Sequence, residues 1–442
     1  MILRRSTQIE QGAARPTRGM RMIVTAALGT LLATGSLVAP AHAAASTQAP
    51  ASQGTALDRQ ALRQTLDAIH QAGMYGTYSS VRDGGQSWQG ASGVADVATR
   101  RPVRPDMRHR VGSVTKTFTA VAVLQQVARG AIELDAPVSR YLPGLIPGER
   151  GDQVTVRMLL NHTSNIADHV GGAFPSLMVG SPQSIDDNRF HTFPPTELVR
   201  LGLEAPATGT PGVAPGSYSN TNYVIAGLLL EKVTGVTAEQ YITRNVIRRA
   251  GLHHTSFPRS PYLHGPHSKA YESLFGLIDP PRDYSVYDMS WAGVAGSLVS
   301  TMDDLNRFYR ALLTGRLIGP AELAEMQKTV PVRVGGGQLE YGLGLYPLDL
   351  PCGRFWGHDG GVFGMGTIAL SSADGTRQIA NGINLMKYQR IDENGNIEPS
   401  PIDYAMGTHL LVSLCGTADA ARTAQAAPPI NLFPTSGLPV KR

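Results

Sequence analysis

One stretch constrains this chain more than any other: HRVGSVTKTFTAVAVLQQVA, from His109 to Ala128. At 100° per residue Ser113, Lys116, Thr117, Ala120 and Leu124 share one helical face, while Val114, Phe118, Val121 and Val123 fill the others. A helix that is apolar all round is a buried helix, so the rest of the fold has to wrap around it. It carries a lysine inside. Of the 39 basic residues only six are lysine, the remainder arginine, which makes an amine at 116 conspicuous. Burial lowers the pKa of an amine, as a general base requires, whereas a guanidinium stays protonated. The S-x-x-K spacing decides little alone. A Ser113 N-cap with Lys116 reaching back to solvent leaves the same trace.

Two further stretches supply groups of matching chemistry. Tyr218-Ser219-Asn220 sits where the Pro/Gly loop ATGTPGVAPGSYSN meets the helical pattern TNYVIAGLLLEKVTG. A phenol there can relay a proton and a carboxamide can hold both a lysine and a substrate amide; alternatively, Asn220 is an N-cap and Tyr218 packs the loop. Later, FWGHDGGVFGMGT puts His358-Asp359-Gly360-Gly361 on a strand poor in bulk. Glycines within a strand let a ligand or another backbone come close, although a bend with a surface histidine reads the same way.

The order of elements suggests how these pieces meet. From Leu57 the segment LDRQALRQTLDAIHQAG has helical spacing, and an antiparallel hairpin follows around Asp83-Gly84-Gly85. A helix-rich middle runs from Ser113 to about Gly235, strands return from about Val286, and a helix closes near Tyr404 to Leu414. This pattern gives an α/β chain of α+β type: an antiparallel sheet covered by helices, with an inserted all-helical lobe and a cleft between them. The sheet lobe is expected over 57–110 and 286–415, the helical lobe over 111–285, and together they form one domain, 57–415. With 42% hydrophobic and 17% charged residues, a large core is available. The Ala- and Pro-rich tail, 416–442, reads as disordered.

Residues 1–43 read as a signal peptide: arginines at 4, 5, 15, 18 and 21, the apolar run Ile23–Ala39, and a small-residue site at Ala41-His42-Ala43. Met20 is an alternative start, and a membrane anchor is the competing reading of the same run. A flexible linker is expected over 44–56. The leader holds most of the formal charge of +5, which falls to +1 without it. With no basic stripe or interleaved aromatics, no nucleic-acid partner is expected. The expected location is outside the cell, with no membrane anchor after cleavage. In such an oxidising setting Cys352 and Cys415 are a disulfide pair, or else two free thiols. The histidines at 253, 254, 264 and 267 lack an acidic third ligand and H-E-x-x-H spacing, so neither metal nor cofactor is expected. No G-x-S-x-G occurs, against an α/β-hydrolase.

Taken jointly, Ser113-Val114-Thr115-Lys116, Tyr218-Ser219-Asn220 and His358-Asp359-Gly360 resemble the S-x-x-K, Y-x-N and H-x-G order of the penicillin-recognising serine hydrolases. This family includes D-alanyl-D-alanine carboxypeptidases and class C β-lactamases. The resemblance runs from about Leu57 to Gly416 and takes in VTVRMLLNHTSNI and MSWAGVAGSLVSTMDDLNRFYRALLTGRL. It implies Ser113 as nucleophile, Lys116 as its base, and Tyr218 as proton relay to the leaving group and the deacylating water. It further implies substrate binding by Asn220, His358, Asp359, Gly360 and Gly361, with the Ser113 and Gly361 amides as oxyanion hole and Trp291 as a roof over the cleft. Small peptides, amides or esters are the implied substrates, peptidoglycan stem peptides among them, with β-lactams as covalent ligands.

Two departures bear on specificity. The family's usual threonine is Asp359 here, an anion that should repel a free carboxylate on the leaving group, and no basic residue occupies Tyr346 to Leu348. Arg354, on the same strand face as His358, is the expected compensation. The resulting expectation is a secreted, acyl-enzyme serine hydrolase of D-alanyl-D-alanine carboxypeptidase type. An esterase or β-lactamase is the alternative, and a non-catalytic penicillin-binding module the more distant one.

Overall fold

The computed structural model describes residues 57–335, 337–393, 396–418 and 430–436. The leader and linker expectations, over 1–56, lie outside the described residues. Seven antiparallel strands form the main sheet: β1 (Gly76–Asp83), β2 (Gln86–Asp96), β3 (Arg101–Pro102), β4 (Tyr346–Leu350), β5 (Gly353–Val362), β6 (Met365–Ser372) and β7 (Arg377–Ile383), in the order β4-β5-β6-β7-β1-β2-β3. The first and last strands of the main sheet in chain order lie side by side. β1 pairs with β7 in the register Thr77↔Ile383 to Asp83↔Arg377, so everything between β3 and β4 is an insertion.

Five helices matter for the site: α1 (Arg59–Gln71), α2 (Val114–Val127), α3 (Asn220–Thr234), α4 (Met302–Leu313) and α5 (Pro401–Cys415). Leu62, Leu66 and Ile69 of α1 and Met406, Leu410 and Leu414 of α5 bury one face of the sheet against Val81, Phe355, Ile368 and Ile379. Each such side chain contributes roughly 1.5–3 kcal/mol of transfer free energy. On the other face, Leu305, Phe308 and Leu312 of α4 join Tyr78, Ala369 and Ala380 in a core that also takes in α2. Phe118 of α2 stacks on Phe308 at 3.6 Å between ring centroids. α2 is thus buried on all sides, as its composition demands.

The main-sheet strands return at Tyr346, not near Val286. Between these points lie α4, a helix at Pro320–Met326, and a three-stranded sheet of Gly216–Ser217, Val330–Val334 and Gly337–Tyr341. The cause is legible in STMDDLNRFYRALL: the Thr301 side chain caps α4 by accepting from the Asp304 amide, and a helix with apolar positions three and four apart follows. Most of the tail expected to be disordered, 419–429 and 437–442, lies outside the described residues, and the described stretch 430–436 is ordered. Residues 434–436 form a helical turn packed against β5, with Leu432 buried among residues of the α1–α5 layer. Its Ala/Pro-rich composition hides the apolar residues Ile430, Leu432 and Phe433, which supply the surface that seats it. Cys352 and Cys415 form a disulfide, Cα–Cα 5.4 Å, that ties the end of α5 to the start of β5.

Candidate active site

Ser113 enters α2 from a turn in which Gly112 has φ +54°. The turn lies directly on β5. A Cβ on Gly112 would stand 2.6 Å from the Gly361 nitrogen, and one on Gly360 2.0 Å from the Val111 carbonyl oxygen and 2.7 Å from the Ser113 nitrogen. Backbone meets backbone here, which only glycine allows. The contact brings the Ser113 and Gly361 amides to one place. Beyond Gly357, the last residue paired with β4, strand β5 continues through His358 to Val362 and pairs with β6.

The Ser113 side chain makes no capping hydrogen bond, and Lys116 is completely buried, which removes the alternative of a capped helix with a surface lysine. Lys116 Nζ lies 3.0 Å from Ser113 Oγ, 2.6 Å from Asn220 Oδ1 and 2.9 Å from the Ala295 carbonyl oxygen. The orientation of Asn220 follows from its other end. Its Nδ2 donates to Asp168 Oδ2 at 2.8 Å, and a carboxylate only accepts, so the amide oxygen must face the lysine. A neutral lysine has two N–H bonds and one lone pair. With Asn220 Oδ1 and Ala295 O taking the N–H bonds, the lone pair is left to Ser113 Oγ. Burial lowers the Lys116 pKa to about 7, against the opposing pull of Asp168 and Asp359. Asn220 is no helix cap; Ser219 holds that position.

Tyr218 follows the small-sheet strand Gly216–Ser217, and its amide donates to the Arg333 carbonyl at 3.0 Å. Lys116 Nζ is 4.9 Å from its ring centre. Its buried hydroxyl faces those of Ser113 and Thr435 without closing a well-aligned hydrogen bond to either. Burial holds the phenol well above its usual pKa, and these two hydroxyls draw it back.

His358 is fully buried. Its Nδ1 meets the Asp359 carbonyl oxygen and its Nε2 the Tyr341 hydroxyl, at 2.7 Å for the latter. Since a carbonyl only accepts, Nδ1 carries the proton and Nε2 accepts from Tyr341. Burial and the nearby Lys116 lower its pKa to about 3, so it is neutral. It cannot supply the positive charge that would tune Tyr218 or hold a carboxylate. Arg354 does not compensate either: it is exposed and bound bidentately to Asp349 at 2.7 and 2.8 Å. Trp291 is placed differently from the expected roof. It is 7% exposed and packed among Phe174 and Phe363, ring centroids 5.5 and 5.3 Å away, because the aromatic core around it is large enough to enclose the indole.

Asp359 reaches the site but does not stand open. Its carboxylate accepts from Tyr346 Oη at 3.1 Å, from Thr435 Oγ1 at 2.8 Å and from the Thr435 amide at 3.2 Å. The sequence reading left out Asp168, Tyr341, the Ala295 carbonyl and Thr435. It also passed over His162, whose ring lies 4.3 Å from that of Tyr218 and whose Nδ1 accepts from the Ser219 amide at 3.2 Å. His162 and Asp168 fall in and just after VTVRMLLNHTSNI, where a buried polar run was the available signal. Thr435 had none.

The beta-lactamase family model matches residues 59–377. Penicillin-binding protein 4* of Bacillus subtilis is 29% identical over 332 residues, which span 71% of this chain and 68% of that protein. Esterase EstB of Burkholderia gladioli is 31% identical over 214 residues, 46% of this chain and 53% of the esterase. Among solved structures, a D-stereospecific amidohydrolase from Streptomyces sp. is 36% identical and covers 81% of this chain and 99% of its own, with a TM-score of 0.71.

Proposed function

Since this chain belongs to the beta-lactamase family and is a serine hydrolase, we propose that it cleaves small amides and esters of D-amino acids through an acyl-enzyme on Ser113. The observation that carries this reading is the lone pair of Lys116, left to Ser113 Oγ by two acceptors that occupy its N–H bonds. Neutral Lys116 takes the Ser113 proton while Oγ attacks the substrate carbonyl carbon. The oxyanion forms against the Ser113 and Gly361 amides, each donor stabilising the transition state by roughly 3 kcal/mol on the scale of measured oxyanion holes. Tyr218, next to Ser113, passes the proton to the departing nitrogen or oxygen as that bond breaks. Water then repeats the sequence on the acyl-serine. The likeness to a D-stereospecific amidohydrolase supports the D-amino-acid class.

A carboxypeptidase acting on D-Ala-D-Ala stem peptides is the second reading, supported by the likeness to penicillin-binding protein 4*. Such an enzyme must hold a carboxylate beside the scissile bond. Here Asp359 takes the motif position, His358 is neutral and Arg354 is committed to Asp349. Two like charges about 4 Å apart repel by roughly 1–4 kcal/mol between aqueous and partly buried settings. The location outside the cell is part of the proposal, supported by the leader pattern of 1–43 and by the disulfide.

The test is a panel: D-phenylalanine amide and methyl ester, a D-Ala-D-Ala peptide and a cephalosporin, each with wild type and Ser113→Ala. The neutral D-amino-acid substrates should be preferred, with Asp359→Thr shifting the ratio towards the free acid. Preference for the free acid by wild type, with no shift in the mutant, would make carboxypeptidase the better name. Turnover undiminished in Ser113→Ala would remove the acyl-serine mechanism.

A further inference from the structure

The same site receives a part of the chain that the catalytic scheme does not use. Thr435 gives Asp359 two hydrogen bonds, one from its hydroxyl and one from its amide. Its hydroxyl also faces that of Tyr218. Tyr218 is the group that hands a proton to the departing atom, so whatever sits beside its hydroxyl, on the side of Asp359, sits where the leaving group must go. The turn at 434–436 packs on β5, beyond the register Tyr346↔Gly357 where the pairing with β4 ends. Ser113 itself is only 7% exposed.

The segment is held by more than these two bonds. Leu432 is 5% exposed and packs in the apolar layer between the sheet and the helices α1 and α5, with Ile430 and Phe433 against the same layer. The Cys352–Cys415 disulfide fixes the root of the tail one residue before β5 begins. From Gly353 to Asp359 is about 20 Å of extended strand, and Thr435 meets that strand at its Asp359 end.

We propose that Thr435 fills the leaving-group subsite and is a specificity-determining residue of this hydrolase. The inference rests on the proposed function. Its N–H and O–H offer Asp359 the same donors as a departing amine, and the segment behind them bounds the space. Small leaving groups, ammonia or methanol, fit alongside Thr435; a bulky leaving group has to displace the segment. Asp359 then gains a role as the acceptor-only group that takes both donors of Thr435 and so seats the 430–436 segment.

The experiment compares D-phenylalanine methyl ester with D-phenylalanine 4-nitroanilide in the full chain, in Thr435→Gly and in Leu432→Ala. The last variant unseats the segment without touching Asp359. The ratio of kcat/KM for the anilide to that for the ester should rise at least tenfold in both variants. A synthetic peptide of residues 430–436, added to Leu432→Ala, should bring the ratio back down. If the full chain turns over the ester through Ser113 and the ratio stays within twofold in both variants, Thr435 does not bound the leaving group and this inference falls, while the proposed function stands. If no substrate is turned over through Ser113, the proposed function falls and takes this inference with it.

Discussion

Asp168 accepts a 2.8 Å hydrogen bond from the Asn220 amide nitrogen, and that bond turns the amide oxygen towards Lys116. One carboxylate thereby sets both the orientation of an amide and the charge felt by a buried amine, whose pKa it raises against burial. Asp168→Asn should therefore move the acid limb of kcat/KM to lower pH, because Lys116 loses an anion that favours its protonated form. A drop of about tenfold in kcat is expected alongside, as the Asn220 amide is less firmly oriented. A pH–rate profile on a neutral ester reads both. An acid limb that stays in place would show that Lys116 does not feel the Asp168 charge.

Lys116 itself sets the pH dependence of wild type. As the base it must be neutral, so activity should fall as pH drops through about 7 and level off above it. The same shift links to stability. The folded pKa is depressed, so the unfolded chain binds the extra proton between about 7 and the ordinary lysine value, and stability from this group rises with pH across that window. Lys116→Arg, which stays charged, should lose at least about a thousandfold in acylation rate while folded. Near-normal acylation in the folded mutant would return Lys116 to a structural role.

Gly360 is the position where a single methyl group should do most damage. A Cβ there would come within 2.0 Å of the Val111 carbonyl and 2.7 Å of the Ser113 nitrogen, both backbone atoms that cannot swing aside. Gly360→Ala should separate β5 from the start of α2 and pull apart the two oxyanion donors. We expect a loss of about 100- to 1,000-fold in kcat, the scale for removal of one donor, or failure to fold. Crystallography or thermal melting distinguishes these, and a folded mutant with ordinary kcat would exclude the close approach.

The disulfide closes a sequence separation of 63 residues. In the chain-entropy account such a loop stabilises the fold by roughly 4 kcal/mol. Cys415→Ser should lower the denaturation midpoint accordingly, and non-reducing peptide mapping should recover Cys352 joined to Cys415 in wild type. Equal stability of oxidised wild type and mutant would mean that native strain offsets the gain.

Much of the site was legible before any fold was known. Ser113 and Lys116 are three residues apart on one helix, so their meeting is local geometry. The apolar residues around them made burial, and hence a lowered pKa, a matter of composition. The glycines at 360 and 361 announced a close backbone approach without naming its partner. What escaped was whatever depended on partners far along the chain. His358 looked like a charge beside the leaving group, yet its neutrality follows from complete burial and from the tautomer that Asp359 O and Tyr341 impose. The resemblance implied Trp291 as a roof, and the aromatic cluster around Phe363 absorbed it.

The sequence by itself determined that a buried helix would present a serine and an amine together, since both periodicity and hydropathy act over a few residues. It likewise determined that an antiparallel sheet from the two ends of the chain would bracket helices. Only the tertiary structure decided which way the lysine's lone pair would point. That direction is set by Asn220, 104 positions away, and by the Ala295 carbonyl, 179 away. Only it decided that Asp359 would be answered by Thr435, 76 positions later, and not by an arginine. Hydrogen bonds of this kind are short-ranged and directional. No periodicity in the chain records them, because they exist only once packing has brought the distant segments within about 3 Å of one another.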